Sequence, residues 1–392
     1  MKKSKIYFCL LSLLIICCKC TTKESTQKSG EVITEKSTVE VIDVLKKPTI
    51  SEEDFVSSVS NLKYIPLKVD ANSLIAEMTK VIEFENNFYI LDRKYAAIRI
   101  FDLSGNFIRN LSNIGSGPGQ YLSLNGFDID TEKREIIVYT SESMKLIRYK
   151  MDGEFLSEKK TTFFGFDYLL DEKTDNNIFF INNNPVLDKQ NYNLLYTDYN
   201  NSIKDNFFAF SKGDCYIINE CGGMTKGADG LVYNNPLNDT IFNCNGSCKA
   251  KYAVNFGSLK CPDEVKRSIS KVQELLNYSY LENKIYESKQ AIIFPYTCNR
   301  YTYTAYYDKK NREVITNLNM PNLSFFIMRP PIGLNIKTNT FYSYISKEFV
   351  DIALNRDSKI LEKLRVKNKD FVRLLENLKD DDNPILISYS FK

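Results

Sequence analysis

"FYILDRKYAAIRIFDLSGNFIRNL", residues 88–111, returns 48 positions later as "IIVYTSESMKLIRYKMDGEFLSEK", residues 136–159. At this offset Gly105 matches Gly153 and Phe107 matches Phe155, and apolar positions before them also coincide. Each unit has strand-like segments separated by a short polar turn and then by a Ser-Gly or Asp-Gly hairpin turn. A repeat of about 45 residues that holds about four strands is typical of one β-propeller blade.

Weaker copies of this unit continue to the end of the chain, in residues 177–210, 238–257, 290–315 and 330–346. Counting from Leu62 gives about six units, so the predicted fold is an all-β, six-bladed β-propeller spanning residues 38–392. The last strand, "NPILISYSFK" (383–392), is expected to pair with "TVEVIDV" (38–44), because closing the ring removes free sheet edges.

Three segments carry a resemblance to a known family: "LKYIPLK" (62–68), the stretch from Phe88 through "GFDID" (126–130), and the closing strand. They resemble the six-bladed propeller lipoproteins of certain Gram-negative, polysaccharide-using bacteria, which are distant relatives of NHL-repeat propellers. The resemblance covers roughly residues 38–392 and the lipoprotein-like start. Because most members have no assigned activity, it implies an architecture and an envelope location but no chemistry.

The N-terminus combines a basic start with an apolar stretch, Ile6 to Ile16, that is followed by polar residues. This stretch is too short for a bilayer span, which needs about 20 apolar residues, and is typical of a secretory signal. "LLIICCKC" resembles a lipoprotein box, so we predict a signal peptide at 1–17, a lipid on Cys18 and a flexible tether at 18–37. Cys17 is the second choice, and an ordinary cleaved signal is the alternative. The protein is thus expected to be exported and bound to the bacterial outer membrane by its lipid, on either face.

Composition excludes several classes of function. The 392 residues are 43% hydrophobic and 26% charged, as in globular proteins, and they include no histidine. Catalytic triads, Cys–His pairs and His-ligated zinc sites therefore cannot form. Without Lys2, Lys3 and Lys5 the 52 basic side chains become 49, equal to the 49 acidic ones, so no nucleic-acid partner is expected.

The glycine-rich stretch "GSGPGQY" (115–121) superficially resembles a phosphate-binding loop. It lacks a lysine, Pro118 has no N–H to donate, and the following residues alternate as a strand does. Gly115, Gly117, Pro118 and Gly119 are therefore predicted to form a structural loop that crosses from the first blade to the second.

The cysteines of the folded part favour disulfides, because an exported chain with an even number of them is oxidised in most cases. Local pairs are Cys215 with Cys221 and Cys244 with Cys248, which leaves Cys261 with Cys298. A thiolate zinc site is the alternative, although the C-x-x-C spacing is missing.

Two groups of side chains are weak candidates for ligand contacts. Tyr301, Tyr303 and Tyr307 share one face of a predicted strand and could stack on a sugar, or simply pack against a neighbouring blade. "FDID" (127–130) with Asp92 could hold calcium, but aspartates at strand ends more often stabilise turns, so no metal or cofactor is predicted.

Two helical insertions are expected, at 261–284 and 370–384. Val265, Ile269, Val272 and Leu276 form one apolar stripe, and Phe371, Leu375 and Leu378 form the other. We expect these helices to cover one face of the ring and narrow its channel, or else to offer a surface to a partner.

Three functions fit these observations. The preferred one is a non-catalytic envelope module that binds a glycan, peptide or protein. The alternatives are a calcium-dependent propeller hydrolase or lactonase with carboxylates in the channel, and a structural accessory of an outer-membrane uptake complex. Fold alone does not choose among them.

Overall fold

The computed structural model describes residues 30–33, 39–46, 52–70, 72–184, 191–214, 223–282, 284–316 and 329–392. Within these residues the strands form six separate sheets, each built on antiparallel neighbours. The first strands of adjacent sheets lie against one another around a common axis. The predicted six-bladed β-propeller is therefore confirmed.

Blades 1 to 3 are regular four-stranded sheets in which the strands follow one another from the axis outward. Blade 1 contains Met78–Phe84, Asn87–Asp92, Ala97–Asp102 and Phe107–Leu111. Blade 2 contains Gly126–Asp130, Glu135–Thr140, Lys145–Lys150 and Phe155–Lys160. Blade 3 contains Asp167–Asp171, Asn176–Phe180, Tyr192–Thr197 and Ile203–Ala209.

Blades 4 to 6 depart from this pattern. Blade 4 contains Met224–Gly227, Gly230–Asn234, Thr240–Asn245 and Ser247–Asn255. Blade 5 has an interrupted first strand and contains Ser279–Leu281, Tyr286–Glu287, Ala291–Cys298, Tyr301–Asp308 and Glu313–Thr316. Blade 6 draws on both ends of the chain and contains Gly333–Asn335, Thr340–Ile345, Ile385–Phe391 and Val59–Pro66.

The core lies mainly between the blades, because each sheet covers the face of the next. Between blades 1 and 2, for example, Ile98 and Phe127 belong to one cluster and are fully buried. Gly105 and Gly153 occupy the same turn in these two blades, with φ of 81° and 92°. These left-handed angles suit glycine and explain why it recurs there.

The ring closes through a pairing that differs from the expected one. Ile385–Phe391 pairs antiparallel with Val59–Pro66, not with the "TVEVIDV" segment. Glu40–Asp43 runs parallel to the outer strand Ser247–Asn255 of blade 4, where Ile42 is completely buried beside Val254. Val59–Pro66 closes the ring because it pairs with the last strand over a longer stretch. Val32–Ile33 and Glu40–Asp43 instead cover the outer edge of blade 4.

A short helix, Glu52–Ser58, precedes the closing strand. One helical insertion follows the last strand of blade 4, and the other lies between the second and third strands of blade 6. The first insertion has helices Gly257–Leu259, Asp263–Lys266 and Ile269–Asn277, and the second has Lys347–Arg356, Ile360–Lys367 and Lys369–Asn377. The second insertion is therefore longer than expected. Among the described residues, no helix has the length and apolar character needed to cross a membrane.

The two predicted apolar stripes differ in how far the structure buries them. Phe371 and Leu375 are buried as expected, after Asn368, whose side chain caps the helix by accepting the N–H of Phe371. In the first insertion Ile269 and Leu276 are exposed, and Leu275 is buried instead. The reason is that Ile269–Asn277 is a 3₁₀-helix, so its residues repeat every three positions and not every 3.6.

Candidate functional site: a charged cavity in the channel

The channel holds a cavity of about 450 Å³. Its wall comes from the first strands of the blades and from the turns that follow them, including Phe84–Asn86 of blade 1 and Asn335–Lys337 of blade 6. The cavity therefore faces the side of the ring on which first and second strands are joined. Among the described residues, none of either helical insertion lines this cavity.

Charged side chains from successive blades enter this cavity. Lys80 comes from blade 1, Asp128 from blade 2, Asp167 from blade 3, Lys226 from blade 4 and Lys284 from the interrupted first strand of blade 5. Blade 6 contributes Gly333 to its wall. A methyl group at that glycine would approach the backbone oxygen of Val81 to 2.3 Å, so this inner position of blade 6 leaves no room for a side chain.

One half of the cavity is a closed ion-pair network. Lys226 Nζ lies 2.8 Å from Asp128 Oδ2 and 3.2 Å from Glu172 Oε1, and Thr131 donates its hydroxyl hydrogen to Glu172. Asp128 also accepts the backbone N–H of Leu170 at 2.9 Å. Burial acts to raise the pKa of Asp128, but the charges of Lys226 and Lys80 outweigh it and hold the pKa below its usual range. These groups hold one another in place.

The other half contains two lysines with a different environment. Lys80 Nζ donates to the backbone oxygen of Phe127 at 2.6 Å, and Lys284 Nζ donates to that of Thr79 at 2.9 Å. Within the described part of the chain, neither ammonium group has a carboxylate oxygen within 4.0 Å. Burial lowers the pKa of Lys80, and the charge of Lys284 adds to this effect, while Asp128 and Asp167 oppose it.

Asp167 lies beside these lysines and is 3% exposed. Its Oδ1 accepts the backbone N–H of Tyr168 at 2.8 Å, whereas its Oδ2 has no hydrogen-bond partner among the described residues. The cavity thus combines spare N–H donors of two lysines with one spare carboxylate acceptor.

The opposite end of the channel is narrowed by Arg93, which lies on the turn between the second and third strands of blade 1. Its Nη2 donates to the backbone oxygen of Asn125 at 2.9 Å and to that of Phe166 at 3.5 Å. These two residues directly precede the first strands of blades 2 and 3, so Arg93 bridges three blades at this end.

The tyrosines singled out in the sequence do not reach the cavity. Tyr307 is buried and donates to Glu40, and Tyr303 packs on Tyr296 with ring centroids 5.3 Å apart. Only Tyr301 of the three is exposed, at 66%. The row therefore packs blade 5 and does not present a tyrosine platform to a ligand.

The aspartates considered for calcium are held by groups of the protein itself: Asp128 belongs to the ion-pair network with Lys226, and Asp92 and Asp130 accept backbone N–H groups. Asp92 accepts the N–H groups of Ala76 and Glu77, each at 3.2 Å, and Asp130 accepts that of Lys133 at 2.9 Å. Across the described ranges, no three Asp, Glu or Cys side chains are grouped as metal ligands would be.

The glycine-rich stretch connects blade 1 to blade 2 as a folded turn. Its N–H groups are used internally: Gly115 donates to the oxygen of Tyr121 at 3.0 Å, and Gly117 donates to the side chain of Gln120 at 2.8 Å. The N–H of Gly119 donates to a carboxylate oxygen of Glu158 at 3.0 Å. Pro118, between Gly117 and Gly119, has no N–H to donate. The loop has no set of N–H groups left to converge on a phosphate.

The cysteines divide into three cases. Cys244 and Cys248 form a disulfide across a hairpin, with their Cα atoms 4.1 Å apart. Cys261 and Cys298 are not bonded to each other, so the pairing expected for them is wrong; Cys261 packs with Leu237 and Val265, whereas Cys298 packs on a separate cluster that includes strands of blade 5. Cys215 and Cys221 lie outside the described residues, as do Cys18 and the whole signal segment.

The cavity lysines were missed because each lies in a short segment of otherwise ordinary composition: Lys80 and Lys226 in strands, and Lys284 between two short strands. A signal was present: "MTK" occurs at residues 78–80 and again at 224–226, at the start of the first strands of blades 1 and 4. In a six-bladed ring these blades lie opposite each other, so the two lysines enter one channel from two sides.

Comparison with known proteins agrees with this fold. Residues 37–390 match the model of the family described as "Domain of unknown function (DUF4934)". A crystal structure from Bacteroides fragilis, of a protein that is exported according to its name, superposes with a TM-score of 0.74 at 19% identity and covers 90% of this chain and 99% of that one. A member of the DUF4221 family from Bacteroides vulgatus gives a TM-score of 0.53 at 9% identity, covering 85% of this chain and 97% of that one.

At these identities the two structures establish the fold alone. No curated protein matches the chain. The family match extends over nearly the whole propeller, from the strand that covers blade 4 to the closing strand of blade 6. The chain is therefore a six-bladed β-propeller that belongs to the DUF4934 family, whose function is not assigned.

Proposed function

We propose that this protein is an exported, lipid-anchored envelope protein whose propeller binds a small polar ligand in the channel cavity and does not convert it chemically. The observation that carries the proposal is the cavity itself. Its volume of about 450 Å³ lies within the range of small-molecule sites, and charged groups from five blades enter it. A site assembled from so many blades is held rigid by the whole ring.

Binding accounts for the cavity better than catalysis does. The chain has no histidine, and the Asp128–Lys226–Glu172 network is fixed in mutual ion pairs. No observation on the described residues favours the calcium-dependent hydrolase, because Asp92 and Asp130 are occupied by backbone N–H groups. A role as an accessory of an uptake complex is compatible with ligand binding, and the ligand-binding experiment below distinguishes the two.

Export and anchoring are supported by the signal-like N-terminus and by the similarity to a protein named as exported. Mass analysis of the mature N-terminus should find a lipid on Cys18. Replacing Cys18→Ser should move the protein from the membrane fraction to the soluble fraction, whereas Cys17→Ser should not. An unmodified mature N-terminus would contradict the anchor.

Ligand binding can be tested by thermal-shift screening of the purified protein against saccharides, sugar acids and short peptides. Thr131→Phe places a ring at the cavity wall and should abolish the shift of any ligand found. Tyr301→Ala removes the exposed tyrosine of blade 5 and should leave the shift unchanged. If Tyr301→Ala abolished the shift and Thr131→Phe did not, the ligand would bind at blade 5. Co-purification of a membrane complex without small-molecule binding would favour the accessory role.

A further inference from the structure

We infer that the cavity selects a hydroxy-carboxylate, such as a sugar acid, and binds its carboxylate between the side chains of Lys80 and Lys284. This inference rests on the proposed function, because it names the ligand class of the same cavity. It assigns the anion to two residues that motif analysis does not single out.

The two lysines line the same cavity although they come from separate blades. Lys284 reaches from blade 5 to the backbone oxygen of Thr79, the residue directly before Lys80 in blade 1. Lys284 has a φ of 58°, in the left-handed region that a side chain with a Cβ rarely adopts. Strained backbone of this kind persists where the surroundings determine it, and here it accompanies the break in the first strand of blade 5.

Both ammonium groups have hydrogen-bonding capacity to spare. Each carries three N–H donors, and each has a single backbone oxygen as its acceptor among the described residues. Lys284 is 9% exposed, so its remaining donors have little access to bulk water. A buried cation without an anion is costly, and a carboxylate placed between the two lysines would satisfy both.

Lys226 does not serve the same purpose. Asp128 and Glu172 already neutralise it, at 2.8 Å and 3.2 Å. The anion is therefore expected at the Lys80–Lys284 side and not at the cavity centre in general.

Asp167 defines what else the ligand carries. It is buried, and its Oδ2 is unpartnered within the described residues, so it can accept a hydrogen bond from a hydroxyl group. The lysine side of the cavity carries two ammonium groups and one carboxylate, and the Asp128–Lys226–Glu172 network carries one net negative charge, so these six groups sum to zero. The preference for a hydroxy-carboxylate therefore rests on the N–H donors of Lys80 and Lys284 and on the acceptor Oδ2 of Asp167, because a neutral sugar offers the lysine donors no carboxylate oxygen.

The test is calorimetric titration of the purified protein at pH 7 with galacturonate, glucuronate and gluconate. Galactose differs from galacturonate only in having a hydroxymethyl group in place of the carboxylate, and inorganic phosphate serves as the non-carboxylate anion. At least one sugar acid should bind, and its affinity should exceed that of its neutral counterpart by at least about tenfold, since hydrogen bonds to charged groups are the stronger class.

The variants separate the roles of the side chains. Lys80→Met and Lys284→Met should each weaken sugar-acid binding by about tenfold or more and reduce the preference over the neutral sugar. Asp167→Asn should weaken the neutral sugar, which loses a charged acceptor for its hydroxyl, and should raise the preference for the sugar acid, because a negative charge beside the lysines is removed. Lys310→Met makes the same chemical change at an exposed lysine on the turn between the strands Tyr301–Asp308 and Glu313–Thr316, away from the cavity, and should alter affinity by less than about twofold. Thermal melts of all variants check that the ring remains folded.

Several outcomes overturn the inference. If neutral sugars bind as well as sugar acids and the lysine variants bind normally, the carboxylate is not the recognised group, although binding that Thr131→Phe abolishes would still uphold the proposed function. Tight phosphate binding without sugar-acid binding would reject the ligand class. If no sugar acid binds, the inference fails. If in addition no ligand of the wider screen binds, the proposed function fails with it.

Discussion

At the scale of single residues, burial changes the acid–base behaviour of the tyrosines that pack the blades. Tyr139 is completely buried and accepts the backbone N–H of Gly165 at 2.8 Å, while its ring packs on Phe179 at a centroid distance of 5.1 Å. Burial raises the pKa of Tyr139 to about 12, from an ordinary value of 10.0. The folded state therefore keeps this hydroxyl protonated when the unfolded chain has begun to lose its proton.

The alkaline stability of the protein should reflect this shift. Because the folded pKa is raised, the contribution is complete below pH 10 and is lost between about pH 10 and 12. From pH 9 to pH 11 the wild type should lose about 1 kcal/mol more unfolding free energy than Tyr139→Phe, as measured by urea titration. Tyr301→Phe, at an exposed tyrosine, should keep the wild-type pH dependence; equal slopes for wild type and Tyr139→Phe would contradict the prediction.

At the scale of elements, the second helical insertion is part of the core of blade 6. Phe371 of helix Lys369–Asn377 stacks on Tyr64 of the closing strand, with centroids 3.9 Å apart and planes at 15°. Val372 and Leu375 extend the same buried face toward blades 5 and 6. The insertion thus holds the strand that closes the ring and is not a separate appendage.

Removing this contact should destabilise the whole ring. Phe371→Ala should lower the unfolding free energy by about 3–5 kcal/mol, because it deletes a buried aromatic ring and leaves a cavity. Urea denaturation followed by circular dichroism measures the change. The matched substitution Val366→Ala, at a side chain that is 88% exposed, should change stability by less than about 0.5 kcal/mol. Similar losses for the two variants would show that the insertion does not support the seam.

At the scale of the whole molecule, stability depends on closure of the ring by strands that are far apart in the chain. Ile385–Phe391 pairs with Val59–Pro66, and Ser60 and Ser390 hydrogen-bond across the seam at 3.0 Å. Without this pairing, blade 6 would lose its outer strand and the blades beside it would expose their faces. The strands Val32–Ile33 and Glu40–Asp43, by contrast, add to an already complete blade 4.

Two truncations separate these contributions. Deleting residues 385–392 should abolish the cooperative unfolding transition, because blade 6 loses its third strand and the seam. Deleting residues 1–46 should leave a folded ring with reduced stability, since the loss is mainly the burial of Ile42 and the Glu40–Tyr307 hydrogen bond. Thermal unfolding by circular dichroism distinguishes the two. If the chain without residues 1–46 failed to fold while the chain without residues 385–392 folded, the N-terminal strands and not the last strand would be essential for the ring.

Local patterns were enough to predict the blades. The 48-residue repeat around Gly105 and Gly153 reflects a turn that requires left-handed backbone angles, and such a requirement is visible in the chain itself. Alternating strands and hairpin turns also depend on neighbouring residues, so the six-bladed ring followed from them. The glycine-rich stretch was assigned to a structural loop for the same reason.

Long-range placement decided the rest. Whether residues 38–44 or residues 59–66 close the ring depends on which strand gains the better register with a segment more than 300 positions away, and no local pattern encodes that choice. The cavity arises because Lys80, Asp167 and Lys284, which are unremarkable in their own strands, are brought to one axis by the stacking of six blades. The amino-acid order thus determined the repeating unit through short-range backbone preferences, whereas the tertiary structure alone decided which strands meet and which charges share a cavity, because those outcomes depend on contacts between distant parts of the chain.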